Sequence, residues 1–198
     1  MATLRERKRR RTRQAIVDAA VELFERDGYD GTTIADIAAA ADIGTRTFFS
    51  YFASKEEVLF PDADGRVEAA LAAIADHAPD ERPADVLLRA LRSLNGPDDM
   101  VGRVTALRLR LVRTVPAVRG RGLQIQLEAQ QKIAQALQPA FPDDLDEVSA
   151  AALVGAFVGA VSGALQVLLA SPPGDPDEVN RRLYAATDLA LRPWLTPR

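Results

Sequence analysis

Residues 32–60 read TTIADIAAAADIGTRTFFSYFASKEEVLF, two short helical patterns divided by Asp42-Ile43-Gly44. Thr32 or Thr33 offers a side-chain oxygen to cap the first, which runs to about Ala40. A second short helix follows from Thr45 to about Tyr51. This order meets the requirements of a helix-turn-helix, whose second helix enters a DNA major groove. Ala38 is small where the two helices must cross closely, and Asp42, four residues on, falls where the turn needs a left-handed backbone. Asp tolerates that conformation better than most residues. Ile34, Ile37, Ile43, Phe48 and Phe52 supply inward contacts that fix the angle between the helices. Gly44, Thr45, Arg46, Thr47, Phe49, Ser50 and Tyr51 are left for the outer face and ends of the second helix. Ser54-Lys55-Glu56-Glu57 then reads as a capping box, with Ser54 capping and Glu57 reaching back. Lys55 stands at that helix N-terminus, where its charge suits a phosphate.

Upstream, Ile16, Ala19, Ala20, Leu23 and Phe24 recur at i, i+3, i+4, i+7 and i+8, one apolar face of a helix. It begins within a basic segment and stops at Asp27-Gly28, where glycine supplies the terminal turn. The basic segment dominates the charge pattern. Of 25 Lys and Arg among 198 residues, seven lie in the first thirteen positions (Arg5, Arg7, Lys8, Arg9, Arg10, Arg11 and Arg13) beside one acid, Glu6. That tip carries +6 and the rest of the chain −9, so the overall −3 is an average of two unlike parts. A basic tip on an acidic body points to an anionic partner at one end only. Beside a helix-turn-helix it reads as an arm on phosphate or in a minor groove, with a solvated tail as the alternative.

Downstream, apolar residues keep helical spacing and no strand pattern survives. The helix opened at Ser54 runs toward His77, with Pro61 to Gly65 as a kink or interruption. Pro83 starts a helix through Leu94, Asn95-Gly96-Pro97 ends it, and another finishes near Arg113. Pro116 opens one to about Leu137, and Pro139 and Pro142 bound a loop. A long helix spans Asp143 to Ala170, Pro172-Pro173-Gly174 stops it, and a last helix runs from Asp175 to about Arg192. The expectation is an all-α chain of about nine helices, with residues 1–53 as a helix-turn-helix module bearing a basic arm and 54–198 as a second helical domain.

Several chemistries are excluded. Zero cysteines remove disulfides and thiolate sites, and a single histidine, His77, removes paired-histidine metal motifs. No metal and no cofactor is expected. No apolar run follows the charged N-terminus, because Asp18 and Glu22 interrupt Ile16 to Phe24, so no signal peptide is read there. Ser149 to Ser171 has no charged residue and is long enough to span a bilayer. Its acidic upstream flank and its alanine and glycine content favour a buried or interface helix over a membrane span.

The run from Thr32 to Phe60, placed after a helix ending FERDGYDG near the N-terminus of an all-helical chain, closely resembles the DNA-binding module of TetR-type bacterial repressors. The motif covers about residues 12 to 60; the remainder agrees in helix number, order and size. The resemblance implies a cytoplasmic, homodimeric transcriptional repressor that binds a palindromic operator in double-stranded DNA and is released by a small-molecule effector. Base reading then falls to Gly44, Thr45, Arg46 and Thr47. Phosphate contact falls to Thr33, Phe49, Tyr51 and Lys55, joined by Arg9, Arg10, Arg11 and Arg13 of the arm. Two departures stand out. The usual turn glycine is Asp42, and the usual first tyrosine is Phe49, which lacks a hydroxyl for phosphate. Arg46 replaces a residue often small in the family and can make a bidentate contact to guanine.

In the TetR arrangement the last two helices form the dimer seam. Gly155, Gly159, Gly163 and Leu183 are the candidates here, the glycines repeating a spacing that lets helices approach closely; a central core helix is the other reading. Candidate effector-lining residues are Leu91, Leu107, Leu111, Leu127 and Phe157, each also readable as plain core. Arg103, Arg108, Arg110, Arg113, Arg119 and Arg121 form a basic stretch in the acidic body, either surface arginines lying over apolar neighbours or partners for an anionic effector. Two rivals from other classes stand beside this reading. An all-helical enzyme would use Asp143, Asp144, Asp146 and Glu147 as a metal-binding cluster, although acids there also suit a helix N-terminus. A DNA architectural protein would lack any ligand cavity.

Overall fold

The computed structural model describes residues 3–93, 99–170 and 176–195. Among them are nine α-helices, one 3-10 turn and no strand. The helices are α1 (Leu4–Arg26), α2 (Ile34–Ala40), α3 (Thr45–Phe49), α4 (Ala63–Ala75), α5 (Pro83–Ser93), α6 (Asp99–Thr114), α7 (Pro116–Ala140), α8 (Glu147–Ala170) and α9 (Pro176–Leu195). The 3-10 turn spans Glu56–Leu59. The expected breaks at Asn95-Gly96-Pro97 and Pro172-Pro173-Gly174 lie outside the described residues. Packing divides the chain into two units, Met1–Pro61 with Asp98–Gly122, and Asp62–Pro97 with Leu123–Arg198. Packing therefore groups α6 and the start of α7 with the N-terminal helices, a different division from the expected one at residues 53 and 54.

In the first unit, α1 is continuous through the basic segment. Thr3 and Glu6 cap it reciprocally, the Thr3 N–H donating to Glu6 at 2.7 Å and the Glu6 N–H to the Thr3 hydroxyl at 3.2 Å. The basic residues thus form the opening turns of a helix rather than an extended arm. Its apolar face, Ile16, Val17, Ala20, Val21 and Phe24, is buried with Ile37 and Ala38 of α2, Phe48 of α3, and Phe52, Val58 and Leu59. Gly28 takes a φ of 81° at the end of α1, as glycine alone does without strain. Gly31 is required by space, since a Cβ there would stand 2.6 Å from the Asp27 carbonyl oxygen.

In the second unit, one core gathers Ala70, Ile74, Leu87 and Leu91 with Leu137, Phe141, Leu153, Phe157 and Leu191. α8 packs on α9, α4 on α5, and α5 on α9. His77, just beyond α4, places Nδ1 2.8 Å from the Ile74 carbonyl oxygen and packs against Phe141, with ring centres 4.5 Å apart and planes tilted by 47°. It closes the turn that follows α4.

The boundaries differ from expectation in four places. α3 ends at Phe49, leaving Tyr51 outside it. No helix starts at Ser54: the Glu57 carboxylate accepts from the Ala53 N–H at 2.5 Å, and only the short 3-10 turn follows before α4 begins at Ala63. Pro139 lies inside α7 rather than in a loop. α8 begins at Glu147, and Asp146 caps it by accepting from the Ser149 N–H at 2.6 Å.

Candidate nucleic-acid interface

Asp42 has a φ of 54° and is, among the described residues, the one non-glycine residue in the left-handed region. The backbone turns there as the four-residue offset from Ala38 requires, and Ala38 itself is buried where the helices cross. Ile37, Phe48 and Phe52 are wholly enclosed, Ile34 and Ile43 half-buried, so α3 is seated from beneath by three large side chains. Its other face is open. Gly44, Thr45, Arg46 and Thr47 are all exposed. Gly44 caps α3 with backbone alone, in extended conformation at φ −80° and ψ 154°. A Cβ at Gly44 would meet nothing within 4 Å, so the approach to the start of α3 is clear.

The expected phosphate contacts divide into two sets. Phe49 is 55% exposed, its ring edge-on to Phe48 at 5.7 Å and 87°. Tyr51 is half-buried, with the Arg9 guanidinium 5.8 Å from its ring centre. Arg9, Arg10 and Arg11 are exposed on the opening turns of α1. Thr33, Arg13 and Lys55 are instead engaged within the module. Thr33 donates to the Asp36 carboxylate through its backbone N–H at 2.9 Å and its hydroxyl at 2.6 Å, holding that carboxyl below its usual range. Lys55 donates to the carbonyls of Tyr29 at 2.7 Å and Thr32 at 2.9 Å and sits 4.0 Å from the Tyr29 ring centre. Arg13 donates to the carbonyls of Tyr51 at 3.0 Å and Pro61 at 3.1 Å and lies 4.2 Å from the Phe52 ring centre. A hydrogen bond involving a charged group is worth about 1.5–3 kcal/mol and a partly desolvated cation–π contact about 1–2 kcal/mol, so these two cations act strongly on the fold.

Sequence reasoning missed Tyr29 and Glu56. Tyr29 is buried against Phe24, with ring centres 5.3 Å apart, and its hydroxyl donates to Glu56. Burial first, then that carboxylate, pushes the Tyr29 hydroxyl far above its ordinary pKa. Burial alone would raise Glu56, but hydrogen bonds from Tyr29 and Ser54 outweigh it and hold the carboxyl below its usual range. The aromatic at position 29 was visible in the FERDGYDG run, but its partners are 26 and 27 residues away.

The basic stretch binds the protein's own groups. Arg103 pairs with Glu25, pulling that carboxyl down, and Arg121 meets Glu57 at 2.9 Å. Arg108 is 7% exposed and donates to the Leu59 carbonyl at 3.3 Å. Arg119 caps the end of α6 through the carbonyls of Val112 and Arg113. Three of its arginines, Arg103, Arg108 and Arg121, thus fasten α6 and the start of α7 to the module, while Arg110 and Arg113 stay exposed.

Of the effector candidates, Leu91 and Phe157 share the second unit's core, while Leu107 and Leu111 are buried in the first unit. Leu127 is 56% exposed on α7. Of the seam candidates, Gly159 and Gly163 lie on an exposed face of α8 and Gly155 is half-buried, with open space where each Cβ would be. Leu183 is enclosed within its own unit. No group of three His, Cys, Asp or Glu able to hold a metal occurs among the described residues, and Asp146 of the acidic run is held below its ordinary pKa by its capping bonds.

Comparison with known proteins agrees with this geometry. Residues 16–60 match the bacterial regulatory proteins of the tetR family. The chain is 34% identical over 150 residues to the HTH-type transcriptional regulator TcmR of Streptomyces glaucescens, an alignment covering 73% of this chain and 66% of TcmR. It is 42% identical over 48 residues to the HTH-type transcriptional regulator HbdR of an Aromatoleum species, covering 24% of this chain and 21% of HbdR. The chain thus spans just under two thirds of the length of TcmR and about a fifth of HbdR. Among solved structures it resembles FadR of Thermus thermophilus, a TetR-family transcriptional repressor in complex with lauroyl-CoA, with a TM-score of 0.61 at 24% identity over 94% of this chain and 96% of that one. From the left-handed turn at Asp42 to the order of the helices that follow, the chain belongs to the tetR family of bacterial regulatory proteins, the helix-turn-helix transcriptional regulators.

Proposed function

We propose that the protein is a sequence-specific DNA-binding repressor of the cytoplasm that binds a palindromic operator as a homodimer and is released by a small-molecule effector. One observation carries the reading: α3 stands on three buried side chains and turns Thr45, Arg46 and Thr47, together with Gly44, outward. Those four residues read bases, Arg46 through guanine. Phe49, Tyr51, Arg9, Arg10 and Arg11 face the phosphates, with Lys55 and Thr33 at their edge. Thr33 there would exchange its bonds to Asp36 for a phosphate oxygen. Arg13 shares the charge of the arm, but two of its donors are committed to backbone carbonyls.

Residues 1–53 are the reading module and 54–198 the effector and dimer domain. The effector would lie within the second unit, where Leu91 and Phe157 share the core. The seam would lie on α8 and α9, where Gly159 and Gly163, with Gly155 beside them, let a second copy approach closely and Leu183 stiffens the pair from within. Only 22% of the apolar window Glu147–Leu168 is buried by this chain, which leaves a long apolar face that a second copy would cover. Two copies also supply the two reading heads a palindrome requires.

The test is salt. About six phosphate contacts should make affinity for duplex DNA fall on the order of 10³-fold between 50 and 200 mM salt. Affinity that stays level over that range would overturn the reading.

A further inference from the structure

α3 has five residues, a glycine cap without a side-chain oxygen, and a C-cap, Ser50, whose hydroxyl donates back to the Thr47 carbonyl. A helix so short cannot set its own direction. Phe48 seats it from below, and its exit is held by one side chain from another helix. Arg13 of α1 divides its fork, one terminal nitrogen donating to the Tyr51 carbonyl at 3.0 Å and the other to the Pro61 carbonyl at 3.1 Å. The guanidinium also lies 4.2 Å from the ring centre of Phe52, which is itself buried. Tyr51 stands two residues beyond α3, and Pro61 two residues beyond the 3-10 turn. A single guanidinium therefore ties the scaffold helix, the exit of α3 and the end of the module together. One helical turn earlier, Arg9 is exposed and has only the face of the Tyr51 ring beside it.

We propose that Arg13 is a positioning residue for base reading rather than a phosphate contact, and that Arg9 carries the phosphate charge on this face of α1. The proposal rests on the DNA-binding reading. By fixing the Tyr51 carbonyl, Arg13 sets the angle at which Thr45, Arg46 and Thr47 meet a groove, so its loss tilts α3 without removing a charge from the DNA. A lysine at this position keeps the charge but has neither the planar fork that divides between two carbonyls nor the flat face that lies on Phe52.

The experiment compares the full-length protein with Arg13→Lys, Arg13→Ala and Arg9→Ala. Each is titrated across a salt series against a duplex recovered by selection and against an unrelated duplex. Arg13→Lys and Arg13→Ala should lose about tenfold or more for the selected duplex, while their salt slopes and their affinity for the unrelated duplex stay at wild-type values. Arg9→Ala should weaken both duplexes alike and reduce the slope by about 0.9. The proposal is overturned if Arg13→Lys binds like wild type while Arg13→Ala loses slope on both duplexes, the behaviour of a phosphate contact. It is equally overturned if the Arg13 variants melt earlier yet keep the wild-type ratio between duplexes, the behaviour of a purely stabilising residue. A wild-type protein with no preference between any duplexes would bring down the DNA reading itself, an outcome distinct from either.

Discussion

Arg46, Arg13 and Lys55 carry the same charge and lie within one small module, yet they do different things. Arg46 is exposed at the second position of α3 and has the reach for a guanine edge. Arg46→Ala should cost about 1–3 kcal/mol on the preferred sequence and relax the choice of base at one position of each half-site, measured by competition between duplexes. An equal loss on preferred and unrelated DNA would mark Arg46 as a phosphate contact. Charge alone, which is what a sequence displays, cannot separate these arginines from each other. Arg13 reaches a carbonyl 38 residues away and Lys55 one 26 residues away, and such acceptors leave no trace in spacing or composition. Asp42 was legible for the opposite reason, since the need for a left-handed residue arises within four positions of Ala38 and the φ of 54° answers it locally.

Elements behaved likewise. The caps of α1 and α2 are short-range pairs, Thr3 with Glu6 and Thr33 with Asp36, and α2 begins where its threonine places it. The Ser54 box failed because its acids have stronger partners. Glu57 turns to the Ala53 N–H and to Arg121, 64 residues on, while Glu56 accepts from Tyr29. These competing bonds replace a helix with a single 3-10 turn. They also make the module acid-sensitive. Glu56 is held below its ordinary carboxyl pKa, so its contribution to stability is complete above about pH 4.5, where an unfolded glutamate is ionised, and is lost as pH falls through the folded value. Glu56→Gln should therefore lower stability by about 1 kcal/mol at pH 7, with the gap to wild type closing below pH ~4.5. Urea midpoints at pH 7, 5, 4 and 3 would record it, and a gap that widens in acid would reverse the assignment.

At the scale of the whole molecule, helix number and order were readable because prolines and apolar periodicity punctuate the chain. The fate of each apolar side chain was not. Leu183 and Leu127 look alike in sequence, but one is enclosed and the other mostly exposed, since burial depends on which helices meet. α8 poses the same problem at larger size: its apolar composition fits a core helix, a seam or a membrane span, and its open glycine face favours the seam. Gly159→Leu separates these. A Cβ at this position meets no atom of its own chain within 4 Å, so helicity should hold or rise, by about 1 kcal/mol of helix propensity. Sedimentation should nevertheless show monomers in place of dimers. A variant that stays dimeric would move the seam elsewhere. The same division of labour explains the charge pattern, with a +6 tip on the reading module and a −9 body that DNA repels.

The central claim is that α3 reads a specific sequence on behalf of a two-fold assembly, and selection of bound fragments from random duplex DNA by the purified protein tests it most directly. The account predicts a palindromic consensus with half-sites one helical turn or a multiple of it apart, about 34–36 Å per turn, and a guanine in each half-site that Arg46→Ala no longer requires. Salt-dependent binding that enriches no consensus would contradict it.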